Sequence, residues 1–177
     1  MILNIWRSTM WGGIYAVLFS ISTILSHENP IEKGFPETVA ESYRKYTWSS
    51  VEFQNEIVGK EIQYSFYENK KFGPLQRGSS ISVTDQGGLW FGYGYIRKVE
   101  LNDALNLNFD FFPGVYLKNS EEDLGGWIMF RSGIELEYSL NSDWKISLGY
   151  DHRSSGDLWD YNPGMETVKI SIIKTVI

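Results

Sequence analysis

The stretch WIMFRSGIELEYSLNSDWKISLGYDHRSS, residues 127–155, decides the fold of this chain. Its first half places Ile128, Phe130, Ile134, Leu136 and Tyr138 on one parity, with Arg131, Glu135 and Glu137 on the other. A repeat of two is the signature of a β-strand with one apolar and one polar face. Asn141, Ser142 and Asp143 supply a tight turn. The second half repeats the pattern. Trp144, Ile146, Leu148, Tyr150, His152 and Ser154 share one face, and Lys145, Ser147, Gly149, Asp151 and Arg153 share the other. Two strands joined by a short turn form an antiparallel hairpin.

Outward from this hairpin the same alternation recurs between turn signals. Strands are expected at 46–53, 56–67, 74–84, 89–99, 105–117, 127–140, 144–154 and 165–177. Gly73-Pro74 and Gln86-Gly87-Gly88 mark two of the turns, and the acidic segment 118–126 marks a longer loop. In the last strand Glu166 shares a face with Val168, Ile170 and Ile172. Eight strands and no internal repeat imply an all-β protein, a closed antiparallel sheet.

Residues 1–26 read as a signal peptide. Arg7 supplies an early positive charge, and the apolar run 14–25 is shorter than the roughly 20 residues of a membrane-spanning helix. Residues 27–43 carry Pro30 and Pro36 and read as a polar linker, with a short helical turn near Glu37–Ser42. Residues 44–177 form the barrel. The chain has no cysteine, so no disulfide framework holds it. A net charge of −6 with no Lys/Arg run argues against nucleic acid as a partner.

Alternation does not say which face is inside. A soluble lipocalin-like barrel would turn its hydrophobes inward around a small apolar ligand. An outer-membrane barrel inverts this, with aromatics toward lipid and charges in the lumen. Long apolar faces rich in Tyr, Trp and Phe favour the membrane version. So do the opposite faces, which mix Arg131, Glu135 and Glu137 with small residues. The expected fold is an eight-stranded antiparallel transmembrane β-barrel of the outer-membrane type.

Chemistry concentrates in GYDHRSSGDLWDYNPGME, residues 149–166. Of the two histidines, His27 falls in the linker, which leaves His152 placed for catalysis. Ser154 follows by two residues, and Glu166 follows Ser154 by twelve. A histidine, a hydroxyl and a carboxylate are the parts of an activated nucleophile. All three continue faces that are otherwise apolar, where a purely structural pattern places more hydrophobes. On spacing alone, an edge-of-sheet His and Ser with no joint role is the commoner outcome. That alternative is a non-catalytic outer-membrane barrel, structural or adhesive.

The pieces GWIMFRSGIELEYSL, WKISLGYDHRSS and NPGMETVKISI resemble the lipid A 3-O-deacylase (PagL-type) family, also called acyloxyacyl hydrolases. The resemblance covers about residues 56–177, more loosely in FGPLQRGSSISVTDQGGLWFGYGYI. It implies an enzyme of the outer membrane, a serine esterase that removes the 3-position acyl chain of lipid A in lipopolysaccharide. It also implies an active site on the lipid-facing wall. His152, Ser154 and Glu166 fall on base, nucleophile and orienting carboxylate, and no metal or cofactor is required. One departure stands out: the family's usual Asn after the nucleophile is Ser155 here, followed by Gly156 and Asp157. Ser155 and Gly156 are then the candidate oxyanion donors.

Glu121, Glu122 and Asp123 are expected to be a solvated acidic loop rather than a cation site. Arg153, on the polar face, is expected as a lumen or rim charge. Trp127, Trp144 and Trp159 are expected as interfacial or packing aromatics.

Overall fold

The computed structural model describes residues 37–176. Among the described residues nine strands are present: β1 (Glu37–Val39), β2 (Ser42–Phe53), β3 (Glu56–Phe72), β4 (Leu75–Thr84), β5 (Leu89–Asn102), β6 (Leu105–Leu117), β7 (Ile128–Ser139), β8 (Trp144–Ser154) and β9 (Met165–Val176). Strands β2 to β9 each pair antiparallel with their neighbours in sequence, and β9 closes onto β2. The result is an eight-stranded up-and-down barrel with no free edge along its main strands.

The strands fall close to where the alternation placed them; β5 runs three residues past the expected Val99, to Asn102, and three further differences lie at the N-terminal side. β2 begins at Ser42 rather than Tyr46, because Tyr43 and Lys45 already point into the lumen and are buried. The expected helical turn near Glu37–Ser42 is absent. Glu37–Val39 is instead a short strand lying on the overhanging end of β3, with Glu37 opposite Phe72. β3 runs to Phe72, five residues past the expected Tyr67, and offers backbone groups that β1 satisfies. The expected signal, residues 1–26, and the linker as far as residue 36 lie outside the described residues.

Charge decides which face is inside. Arg131 reaches across the lumen to Glu61 (Nη2 to Oε1, 2.7 Å) and Asp151 (Nε to Oδ2, 2.9 Å). Lys169 bridges Glu135 at 2.7 Å and Asp151 at 3.1 Å, and Asp110 stands at 3.4 Å. Lys45 pairs with Glu135, and Arg153 with Glu61. Four cations thus meet the four carboxylates of Glu61, Asp110, Glu135 and Asp151, so the network is neutral. Buried charges persist only when paired in this way. Stacked Tyr43 and Tyr67 pack one stretch of the lumen, and Trp90 and Phe112 meet edge to face farther along.

The outer wall is the reverse. Ile62, Phe91, Leu136, Leu148, Val168 and Ile170 stand exposed around the circumference. A water-soluble protein does not present so continuous an apolar surface. The soluble lipocalin-like reading is therefore overturned: the interior is an ion-pair network, and the greasy side faces outward. This is a transmembrane barrel of the outer-membrane type.

The two ends differ. Gly73-Pro74, Asp103-Ala104 and residues 140–143 make short turns at one end, where both described termini also lie. The opposite end carries the long loops 118–127 and 155–164. Those two loops interlock. A Cβ at Gly125 would sit 1.7 Å from the Tyr161 carbonyl oxygen, and one at Gly126 would enter the Trp159 ring. Trp159 is thus a packing aromatic, while Trp127 and Trp144 are exposed.

Candidate active site

β7, β8 and β9 build the site on the outer wall, near the long-loop end. The registry of the sheet does what sequence spacing alone does not. His152 on β8 stands directly opposite Glu166 on β9 and Ser132 on β7. Glu52 on β2 stands opposite Glu166 in turn. A polar row Glu52–Glu166–His152–Ser132 therefore crosses four strands at one level of an otherwise apolar wall. Val168 and Ile170 continue the same face on β9, Tyr150 and Leu148 on β8, and Ile134 and Leu136 on β7.

His152 Nδ1 and Glu166 Oε1 are 3.0 Å apart. The imidazole is buried, with a side-chain exposure of 1 %, and the carboxylate is open at 14 %. With the carboxylate ionised, Nδ1 donates, which places the lone pair on Nε2. Nε2 is itself buried and has no hydrogen-bond partner. That is the atom a general base needs free. Ser154 lies on the same face one pleat along β8, at a Cα spacing of roughly 6.6 Å. No hydrogen bond joins its Oγ to Nε2. Catalytic hydrogen bonds are often long before substrate arrives and shorten in the complex. The geometry thus brings His152 and Glu166 together and sets Ser154 beside them, with no hydrogen bond to Nε2.

Past Ser154 the chain turns sharply. Gly156 and Asp157 both adopt the left-handed region, at φ of 62° and 60°. Gly156 is required there, because a Cβ would also press on the Phe130 ring at 3.0 Å. Asp157 is among the few non-glycine residues that tolerate this conformation. The turn is braced by Asn162, whose Oδ1 accepts from the Ser155 amide at 2.9 Å while its Nδ2 donates to Asp157 Oδ1 at 2.9 Å. Of the two candidate oxyanion residues, Ser155 has its amide engaged by Asn162. Its buried hydroxyl has no partner. Beside it stands the Gly156 backbone.

Two residues of the site escape sequence reasoning. Asn162 lies in a loop where no periodicity exists to flag it. Ser132 left a trace, a serine breaking the apolar face Ile128, Phe130, Ile134. Its meaning depends on a register that β7 does not encode by itself.

The loop charges are less uniform than expected. Glu121 is not solvated: it is buried and accepts a hydrogen bond from the Tyr116 hydroxyl at 2.7 Å, and the missing Cβ of Gly88 makes room for it. Burial pushes the Glu121 carboxyl above its ordinary range. Asp123, in contrast, is exposed, paired with Lys118 at 3.0 Å. Arg153 is a lumen charge on Glu61 rather than a surface one. Among the described residues no group of three or more His, Cys, Asp or Glu is arranged to hold a metal ion.

The family profile "Lipid A 3-O-deacylase (PagL)" matches residues 45–174. No curated protein sequence matches the chain. Three solved structures show the same fold. The outer membrane enzyme PagL aligns with a TM-score of 0.58 at 9% identity, over 74% of this chain and 97% of that one. A de novo designed transmembrane β-barrel aligns at 0.59 and 9%, over 78% and 98%. Neisserial surface protein A aligns at 0.54 and 8%, over 80% and 99%. At such identities these three speak for architecture alone.

Proposed function

Since the chain belongs to the lipid A 3-O-deacylase (PagL) family, we propose that it is a serine esterase of the outer membrane. Its substrate is the ester-linked acyl chain at the 3 position of lipid A. The observation that carries this reading is the buried His152–Glu166 pair on the lipid-facing wall. A histidine and a carboxylate set into a surface that faces hydrocarbon are costly unless used. A lipid ester reaches such a wall without leaving the bilayer.

In this scheme His152 Nε2 takes the proton of Ser154 as Oγ attacks the ester carbonyl carbon. Glu166 holds the imidazole through Nδ1 and stabilises the imidazolium that forms. The tetrahedral oxyanion is met by the Ser155 hydroxyl or the Gly156 amide, both next to the nucleophile in the braced turn. Collapse expels the sugar hydroxyl, protonated by His152, and leaves an acyl group on Ser154. Water then releases it. No step calls on a metal or cofactor. The site's level also fits: outer-membrane barrels carry their long loops on the outside, so these residues meet the outer leaflet.

The test is mass spectrometry of lipid A from cells expressing the wild-type chain, Ser154→Ala or His152→Ala. Wild type removes one 3-hydroxy fatty acid per lipid A, and both variants leave it in place although they migrate as folded, heat-modifiable barrels. Undiminished deacylation by the folded Ser154→Ala variant removes Ser154 from the mechanism.

A further inference from the structure

Deacylation poses a problem specific to this location. The acyl-enzyme sits on a wall that faces hydrocarbon, where water is scarce. Hydrolysis therefore needs a water molecule captured beside His152 rather than drawn from bulk. The row across the sheet suggests what captures it.

Glu166 engages Nδ1 from the β9 side. With Nδ1 held from β9, Nε2 is the ring nitrogen that does not face Glu166. Ser132 is the β7 residue opposite His152. Directly opposed residues have Cβ atoms about 5 Å apart, close enough for one water between a serine hydroxyl and an imidazole. Ser132 is buried, 4 % exposed, between Phe130 and Ile134 on its own face. A hydroxyl there costs free energy without a polar partner. Nε2 is a buried polar atom lacking a partner at the same place. Two hydroxyls thus flank the base, Ser154 along the strand and Ser132 across it.

Resting on the assignment of Ser154 as nucleophile, we propose that Ser132 holds the hydrolytic water against His152 Nε2. The water gives one proton to Nε2, and its oxygen bonds to the acyl carbonyl carbon. The intermediate then collapses by breaking the bond from that carbon to Ser154 Oγ. Oγ takes the proton back from Nε2, and the free fatty acid departs. Ser132 forms no covalent bond and acts only in this second half.

The experiment compares wild type, Ser132→Ala, Ser132→Thr and Ser154→Ala in detergent micelles, with a long-chain p-nitrophenyl ester as probe. Folding is checked by heat-modifiable migration. Loss of a water-mediated hydrogen bond at the transition state corresponds to about 10-fold in rate. Ser132→Ala is expected to release p-nitrophenol in a burst of about one per barrel, then turn over about 10-fold more slowly than wild type. Intact-mass analysis should find the acyl group on Ser154, and Ser132→Thr should restore the steady rate. Equal loss in burst and steady phases assigns Ser132 to packing and overturns the proposal. Wild-type turnover with no adduct overturns it too, and leaves the Ser154 reading standing. A wild-type burst from Ser154→Ala overturns both.

Discussion

Replacing Glu166 by alanine tests the role proposed for its carboxylate beside His152. The structure gives one hydrogen bond, 3.0 Å from Nδ1, between a buried imidazole and a side chain only slightly open to its surroundings. Hydrogen bonds to a charged group contribute about 1.5–3 kcal/mol, because low dielectric strengthens them and removal leaves the partner unsatisfied. Converted at about 1.4 kcal/mol per decade, this is a loss of roughly 10- to 150-fold in turnover. The interaction strengthens as the imidazolium forms, so the loss belongs in kcat more than in KM. Glu166→Gln should fall between wild type and alanine. Its amide oxygen can still accept from Nδ1, but it brings no charge. The assay is steady-state release of 3-hydroxy fatty acid from lipid A in mixed micelles, on protein confirmed as folded. A Glu166→Ala barrel within 3-fold of wild type in kcat would refute the role given to Glu166. The His–Glu contact would then be structural.

Three further outcomes are expected. Arg131→Met strips Glu61 and Asp151 of their shared cation; it should cost about 3–5 kcal/mol in urea unfolding followed by tryptophan fluorescence, and an unchanged midpoint would contradict the lumen network as drawn. Leu148→Arg, on the outer wall, should cost up to about 2–4 kcal/mol when the barrel is refolded into lipid vesicles, whereas an unchanged unfolding midpoint there would mean that Leu148 does not face lipid. Glu121 carries a pKa raised by burial, so the folded state binds its proton more tightly than the unfolded chain. Its contribution is most favourable below the unfolded carboxyl pKa and is lost as pH rises toward the folded value. Loop 118–127 should therefore resist proteolysis better near pH 4 than pH 7, and Glu121→Gln should remove that difference; identical pH profiles for the two proteins would rule Glu121 out as its source.

Much of this molecule was legible in its residues one strand at a time. Alternation is a local property, since successive side chains of any strand leave opposite faces. It placed Leu105–Leu117 and Trp144–Ser154 to the residue, and it sorted Arg131, Glu135 and Glu137 from Ile134, Leu136 and Tyr138. It also flagged His152, Ser154 and Glu166 as polar breaks in apolar faces. What alternation lacks is any knowledge of its partners. Which face is inside was settled by closure, which gathered Arg131, Asp151, Glu61 and Lys169 from four strands into one neutral network. Register is likewise a long-range quantity. It is fixed by how turns and bulges hand each strand to the next, and it alone set Glu166 and Ser132 on either side of His152. The loops obey no period, so the burial of Glu121 and the bracing by Asn162 came only from packing. Sequence determined the strands and their two faces; tertiary structure decided what each polar residue meets, because contacts across a sheet depend on pairing that no single strand contains.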